Sequence, residues 1–130
     1  MKKIISTVLL CVLLCGCIFA LVSCGAPNSD PKEAAASLED DGYVVTLNES
    51  FVGYKATVTA SKNNVKDKEY DWVELYYFNS DEDANKAWET FEAKFSAEAE
   101  ELKDTENEIV YGISGSLIYK GTPRAVKAAK

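Results

Sequence analysis

The 130-residue chain contains no histidine, and its four cysteines all lie at or before Cys24. The usual structural zinc sites need cysteine or histidine ligands, so the residues after Cys24 have no set from which to build one. Without histidine, the usual base that activates a catalytic serine is also missing. The same distribution of cysteines leaves the part of the chain after Cys24 without an internal disulfide.

Sequence patterns that superficially resemble catalytic or metal-binding motifs have simpler interpretations. Residues 112–116 (Gly-Ile-Ser-Gly-Ser) fail the G-x-S-x-G spacing and lie in a predicted hairpin. Asn79, Asp81 and Asp83 have alternate spacing but lack the glycine and distal glutamate of a calcium loop, so helix capping accounts for them. The other acids, along residues 98–108, are typical of a solvated helix surface rather than of a glycosidase pair. The sequence therefore predicts no cofactor, no metal site and no catalytic residue.

The charge balance restricts the classes of partner. Removal of residues 1–23, which carry Lys2 and Lys3, leaves 107 residues with 12 basic and 21 acidic side chains, a formal charge of −9. This excess of acid argues against nucleic acid, whose phosphates need basic patches, and against direct docking on anionic lipid head groups. It favours a cationic ligand or a basic protein surface through long-range steering, or it serves only to keep the domain soluble.

The first 24 residues have the pattern of a secretory signal. Lys2 and Lys3 precede an uncharged, mostly apolar run over residues 4–22, and the small residue Ser23 precedes Cys24. A plain cleaved signal and an uncleaved membrane helix are the alternatives to a lipid-modified one. The uncleaved helix is considered because the run is nearly long enough to span hydrocarbon.

Residues 21–24 (Leu-Val-Ser-Cys) resemble the lipobox of bacterial lipoproteins. The resemblance implies cleavage after Ser23 and a diacylglyceryl group, with acyl chains such as palmitate, on the Cys24 thiol. Residues 14–17 (Leu-Cys-Gly-Cys) are a poorer match, since cleavage there would leave apolar residues on the mature chain. Two acyl chains are enough for stable anchoring, whereas one is marginal. We therefore expect a lipid-anchored protein on the outer, extracytoplasmic face of a bacterial cell membrane.

The mature chain is similar in layout to small uncharacterised bacterial lipoproteins. The similarity lies in residues 111–122, from Tyr-Gly-Ile-Ser-Gly to Lys-Gly-Thr, followed by Ala-Val-Lys at 125–127. It implies no activity and no ligand residue. The domain boundaries expected are a signal peptide over 1–23, a lipidated cysteine and tether over 24–29, and a single domain over 30–130.

Local signals predict helices and strands in the order α-β-β-β-α-β-β-α. Asp30, Pro31 and Gly42 are typical of the cap, first turn and end of a short helix, and Ser80 is typical of the cap of a second one. The second helix, of about 22 residues, has an apolar face at helical spacing: Ala84, Ala87, Trp88, Phe91, Phe95, Ala99 and Leu102. Strands are predicted over 43–47, 54–60, 72–78, 108–113 and 116–120, with turns at 63–64 and 114–115, and a final basic helix begins at Pro123.

This order favours an α+β fold with an antiparallel sheet of about five strands and helices packed on one face. A crossover unit from residue 72 to residue 113, within a ferredoxin-like sheet, is the alternative. Alternation along the third strand places Val73, Leu75 and Tyr77 toward the helices. The opposite, outward positions on this strand are then Trp72, Glu74 and Tyr76.

An outward face with two aromatic rings and a carboxylate could bind a sugar ring, a peptide or another copy of the chain. There are two alternatives: this face is covered by a loop or by the final helix, or the inward and outward faces are assigned the wrong way round. We therefore predict a non-enzymatic binding module for a protein, peptide or glycan ligand, with Trp72, Glu74 and Tyr76 as the candidate site. A structural or assembly accessory of a membrane complex and a carboxylate-dependent glycan hydrolase are the other functions considered.

Overall fold

The computed structural model describes residues 25–49, 52–64 and 69–130. In chain order the elements are α1 (Pro31–Asp40), β1 (Val44–Asn48), β2 (Ala56–Asn64), β3 (Glu69–Tyr77), α2 (Asp81–Leu102), β4 (Val110–Ser114), β5 (Leu117–Gly121) and α3 (Pro123–Ala128). This arrangement confirms the predicted α+β class and the predicted order of elements.

The strands form one antiparallel sheet in the order β1-β2-β3-β5-β4. β5 lies between β3 and β4, with Gly121 opposite Val73 on one side and Val110 on the other. Because β5 is antiparallel to both neighbours, β3 and β4 run parallel to each other and α2 connects them. The crossover considered from the sequence is thus present, with β5 inserted between its two strands.

The predicted helix starts are confirmed by their hydrogen bonds. Asp30 Oδ1 accepts from the backbone N–H groups of Lys32 at 2.8 Å and Glu33 at 3.4 Å. Ser80 Oγ accepts from the backbone N–H of Asp83 at 3.1 Å. These caps satisfy N–H groups that the helix leaves without partners, and they depend on only a few neighbouring residues.

Neither predicted turn lies at its predicted position. Asn63 and Asn64 belong to β2, where Asn64 pairs with Glu69, and the connecting residues 65–68 lie outside the described part of the chain. In the second hairpin Ser114 pairs with Leu117, so the turn residues are Gly115 and Ser116, one position later than predicted. Gly115 has φ of 59°, a conformation that suits the first position of a tight hairpin turn.

The helices cover both faces of the sheet, whereas the sequence predicts one covered face. α1 and α3 pack on the face that carries Val58, Val73 and Leu75. α2 packs on the opposite face, over β4 and β5, where Ile118 is fully buried. Both faces need cover because β3 and β5 alternate large apolar or aromatic side chains on their two sides. On this face Thr46 of β1 and Thr59 of β2 are exposed, so the sheet is open there.

The residues before α1 pack against the domain. Ala26 contacts the core formed with α1 and α3, and Pro27 is buried. Residues 26–28, predicted as part of a tether over 24–29, therefore pack on the domain. Cys24 lies outside the described residues.

Candidate functional site

A groove lies on the α2 face, where the end of α2 borders the uncovered part of the sheet. It has a volume of about 420 Å³, within the range of small-molecule sites. We call it the Trp72 groove; the residues that line it through strand and helix side chains are Val44, Thr46, Thr59, Ser61, Tyr70, Trp72, Glu74, Glu98 and Lys120.

The register of the sheet brings these side chains together. Thr46 pairs with Thr59, Thr59 with Glu74, and Glu74 with Lys120, which places one row of polar side chains across four strands. In the next row Ser61 pairs with Trp72. Side chains in such rows stand on the same face as direct neighbours. The groove is therefore built on strands, which hold its side chains more rigidly than loops would.

A network of charged and hydroxyl groups crosses the groove. Lys120 Nζ lies 2.7 Å from Glu98 Oε2 and 3.8 Å from Glu74 Oε2. The Tyr76 hydroxyl donates to Glu74 Oε2 at 2.8 Å. Burial, and then the bond to the Glu74 carboxylate, raise the pKa of Tyr76 above its usual range, so this hydroxyl stays a donor. The network links α2 to β3 and β5 and fixes the position of the ammonium group.

Trp72 is held both through its ring and through its backbone. Lys120 Nζ lies 5.5 Å from the centroid of the Trp72 ring, within the range of a cation–π contact. The backbone N–H of Trp72 donates to Thr122 Oγ1 at 3.2 Å, and the backbone N–H of Thr122 donates to the Trp72 carbonyl at 2.9 Å. Thr122 is buried, so this clamp is protected from water.

The three predicted site residues lie on one face, but they have different surroundings. Trp72 and Glu74 line the groove, and both are partly exposed. Tyr76 is next to Glu74 yet packs beneath α2, with its ring centroid 5.2 Å from that of Phe91 and 5.8 Å from that of Tyr54. Tyr76 therefore supports the groove through its hydroxyl and does not line it.

Lys120 and Glu98 line the groove and were missed as site residues. Strand alternation leaves two possible faces for Lys120, and its pairing with Glu74, which no local pattern contains, places it on the groove face. Glu98 belongs to an acidic stretch assigned to a solvated helix surface. Its approach to β5 depends on where α2 crosses the sheet, which no local pattern indicates.

A second hollow, of about 370 Å³, lies on the other side of the molecule beside α3. Lys62 Nζ donates to the Asp41 carbonyl at 2.6 Å and lies 5.5 Å from the centroid of the Tyr43 ring. Burial and then the charge of Asp71 raise the pKa of Tyr43 to about 12. Basic and acidic groups alternate here, which favours pairing within the protein over capture of a charged ligand.

The residues considered for calcium or serine chemistry lie at element ends. Asp81 and Asp83 are exposed in the first turn of α2, after the exposed Asn79. Ser114 is the last residue of β4 before the hairpin turn, and Ser116 is the second residue of that turn. Within residues 25–49, 52–64 and 69–130, the structure forms no group of three or more acidic, cysteine or histidine side chains that could hold a metal ion.

Comparison of the chain with models of known protein families, with curated proteins and with solved structures finds no match. Over the described residues, no helix is both long enough and apolar enough to cross a membrane.

Proposed function

We propose that this protein is a bacterial lipoprotein, anchored through Cys24 at the outer face of the cell membrane, whose domain binds a ligand without catalysing a reaction. The Trp72 groove is its binding site. The observation that carries the binding proposal is a partly exposed indole ring beside a fixed ammonium group and two carboxylates, all on rigid strands or a helix.

A glycan is the ligand class that these groups suit best. A sugar ring presents an apolar face that can stack on an aromatic ring, and its hydroxyl groups form strong hydrogen bonds with charged partners. Trp72 supplies the ring, and Glu74, Glu98 and Lys120 supply charged donors and acceptors with a combined charge of −1. A strongly basic ligand is less well suited, because Lys120 already lies beside the indole ring.

The groove is organised before any ligand arrives. Lys120 is held by two carboxylates, Glu74 is held by the Tyr76 hydroxyl, and the Trp72 backbone is clamped by Thr122. Side chains fixed in this way lose little conformational entropy on binding, which favours affinity. A site of this kind needs no metal or cofactor.

The two tryptophans of the chain provide a matched test. Trp88→Phe leaves Trp72 as the single fluorescent reporter. Trp72→Phe leaves Trp88, a residue of α2 whose ring centroid lies 6.3 Å from that of Tyr111. With a panel of neutral oligosaccharides, we expect a saturable fluorescence change in Trp88→Phe and none in Trp72→Phe. A saturable change of equal size in both variants would contradict binding in the groove. Basic peptides tested in parallel separate the glycan proposal from a peptide ligand.

Glycan hydrolysis is the second candidate function, because Glu74 and Glu98 converge on the groove from a strand and a helix. Both carboxylates contact the same ammonium group, an arrangement that holds side chains in position. We expect no release of reducing ends from oligosaccharides that bind. Release that Glu74→Gln or Glu98→Gln abolishes, while binding persists, would replace the binding proposal by hydrolysis.

A separate observation, an exposed edge strand, favours a role as an assembly accessory of a membrane complex. β1 is an edge strand, and Val44 on it is 76% exposed. Edge strands pair readily with strands from other chains. If the protein is purified from membranes with a stoichiometric partner that Val44→Lys releases and Trp72→Ala retains, the accessory function is favoured over a free ligand-binding module.

The anchor is tested separately from the groove. Metabolic labelling with palmitate should place label on the wild-type chain and none on Cys24→Ser. Mass spectrometry should find the diacylglyceryl group on Cys24 as the first residue of the mature chain. Retention of residues 1–23 in the membrane form would instead indicate an uncleaved helix.

A further inference from the structure

The segment that follows Cys24 is fastened to one side of the domain. The backbone N–H of Asn28 donates to the Ala129 carbonyl at 2.9 Å, and its side-chain amide donates to the Lys130 carbonyl at 3.3 Å. The Asn28 carbonyl accepts from the Tyr77 hydroxyl at 2.6 Å. Tyr77 is only 1% exposed, so this hydroxyl is fixed by the core.

This fastening shortens the reach of an anchor on Cys24. A free tether over residues 25–29 would extend to about 18 Å, whereas Ala26 is already in contact with the core. Only about 7 Å of chain separates the Cα atoms of residues 24 and 26 when extended. A lipid on Cys24 would therefore hold one particular side of the domain against the bilayer.

That side, which we call the anchor-side surface, consists of residues 26–28 and the exposed Lys127 and Lys130 at the end of α3. Residues 122–130 contain three basic side chains and no acidic one, in a chain with a net charge of −7. Arg124 lies 4.0 Å from Asp71, and Asp41 lies in the same hollow, so the two lysines contribute most of the local positive charge. Because this patch is basic and the chain as a whole is acidic, a phospholipid head-group surface is attracted to the patch more than to the rest of the molecule.

The sheet lies between the anchor-side surface and the Trp72 groove. Ala26 packs with the core beneath α1 and α3, whereas Trp72 and Glu74 alternate to the α2 face. We propose that the lipidated protein lies with its anchor-side surface on the phospholipid head groups and its groove directed away from the bilayer. This inference rests on the proposed anchor, and it assigns the groove to ligands outside the membrane rather than to membrane lipids.

The full chain can be tested by labelling one introduced cysteine at a time, because processing would remove every native cysteine except the lipidated Cys24. Lys127→Cys places a fluorophore on the anchor-side surface, and Thr59→Cys places one at the exposed groove side of β2. Both processed proteins are reconstituted in vesicles of phosphatidylcholine and anionic phosphatidylglycerol that contain a head-group spin-labelled lipid. We expect quenching to be several-fold stronger at position 127 than at position 59.

A longer linker is the matched control. A Gly-Ser insertion of about eight residues between Gly25 and Ala26 adds up to about 28 Å of reach and leaves the docked residues unchanged. We expect this variant to remain on vesicles and to lose the difference in quenching between the two positions. Equal quenching without the insertion, in protein that floats with vesicles, would overturn the orientation alone. Failure of the wild-type protein to float with vesicles would overturn the anchor and, with it, the orientation.

Discussion

Lys120 is the most informative single position, because one ammonium group joins α2 to the sheet inside the groove. Its side chain is 15% exposed and it contacts Glu98 at 2.7 Å and Glu74 at 3.8 Å. It also lies 4.9 Å from the centroid of Phe95 and 5.5 Å from that of Trp72. Lys120→Met keeps an apolar stem of similar length and removes the charge.

The expected cost follows from these contacts. A partly buried ion pair contributes about 1 kcal/mol, and each cation–π contact contributes about 0.5 kcal/mol at a partly exposed site. We therefore expect Lys120→Met to lower the free energy of unfolding by about 2 kcal/mol. Removal of the shared cation also leaves two carboxylates near each other, which acts in the same direction.

The chain offers a matched control in Lys86→Met. Lys86 lies 3.2 Å from Glu82, one helical turn away, but these side chains are 73% and 79% exposed. An exposed pair of this kind contributes about 0.3–0.5 kcal/mol. Urea unfolding followed by far-ultraviolet circular dichroism measures both variants by linear extrapolation.

Double-mutant cycles separate the ion pair from the packing of the lysine stem. We expect a coupling energy of about 1 kcal/mol between Lys120→Met and Glu98→Gln, and less than about 0.5 kcal/mol between Lys86→Met and Glu82→Gln. Equal, small effects of Lys120→Met and Lys86→Met would refute the argument that the charged network fixes the groove.

Two further predictions concern the strands that support the groove. Gly121→Ala should lower the free energy of unfolding by about 2 kcal/mol, because the added Cβ would collide with the Trp72 carbonyl and lie 2.8 Å from Val73 Cα in the paired strand. Gly25→Ala adds a Cβ in open space and should leave the free energy of unfolding unchanged in the same urea assay. Equal effects of the two substitutions would contradict the collision. Burial raises the pKa of Tyr119 from 10.0 to about 12, so its hydroxyl ionises more readily in the unfolded chain. The free energy of unfolding should therefore be retained below pH 10 and fall as the pH rises toward about 12. Tyr119→Phe should make this fall smaller. If the fall is the same in the variant, the Tyr119 hydroxyl does not contribute to it.

The order of elements could be predicted because its signals are local. Asp30 and Ser80 cap helices through N–H groups two or three residues away, and strand alternation needs only the strand itself. The hairpin turn was misplaced by one residue because Ser114 and Ser116 are equivalent in composition around Gly115. Register across the pair, which no local pattern contains, decides between them.

The sequence predicts helices on one face of the sheet but not the helix on the other face. The aromatic residues at alternate positions of β3 were assigned to an exposed face, because strand alternation does not show where a distant helix crosses. α2 covers Tyr76, whose ring packs beneath the helix, whereas Trp72 lines the groove. Its position is set by Phe91 and Phe95, which pack on side chains from three different strands.

The composition of residues 25–29 predicts a tether for a local reason. Small and turn-forming residues are typical of linkers, and nothing in Ala-Pro-Asn itself indicates a partner. The partner is the end of α3, about a hundred residues away in the chain, where Asn28 meets Ala129. Contacts between distant segments of this kind are the part of a fold that sequence patterns leave open.

The central claim is that the Trp72 groove binds a glycan, and nuclear magnetic resonance of the ¹⁵N-labelled protein tests it most directly. The chain has two tryptophans, so its spectrum has two indole N–H signals, one from Trp72 in the groove and one from Trp88 on α2. On titration with neutral oligosaccharides, we expect a saturable shift of the Trp72 indole signal and of the Lys120 backbone amide, with the Trp88 signal unchanged. Saturable shifts that leave Trp72 and Lys120 unmoved, or no shift with any oligosaccharide of the panel, would contradict it.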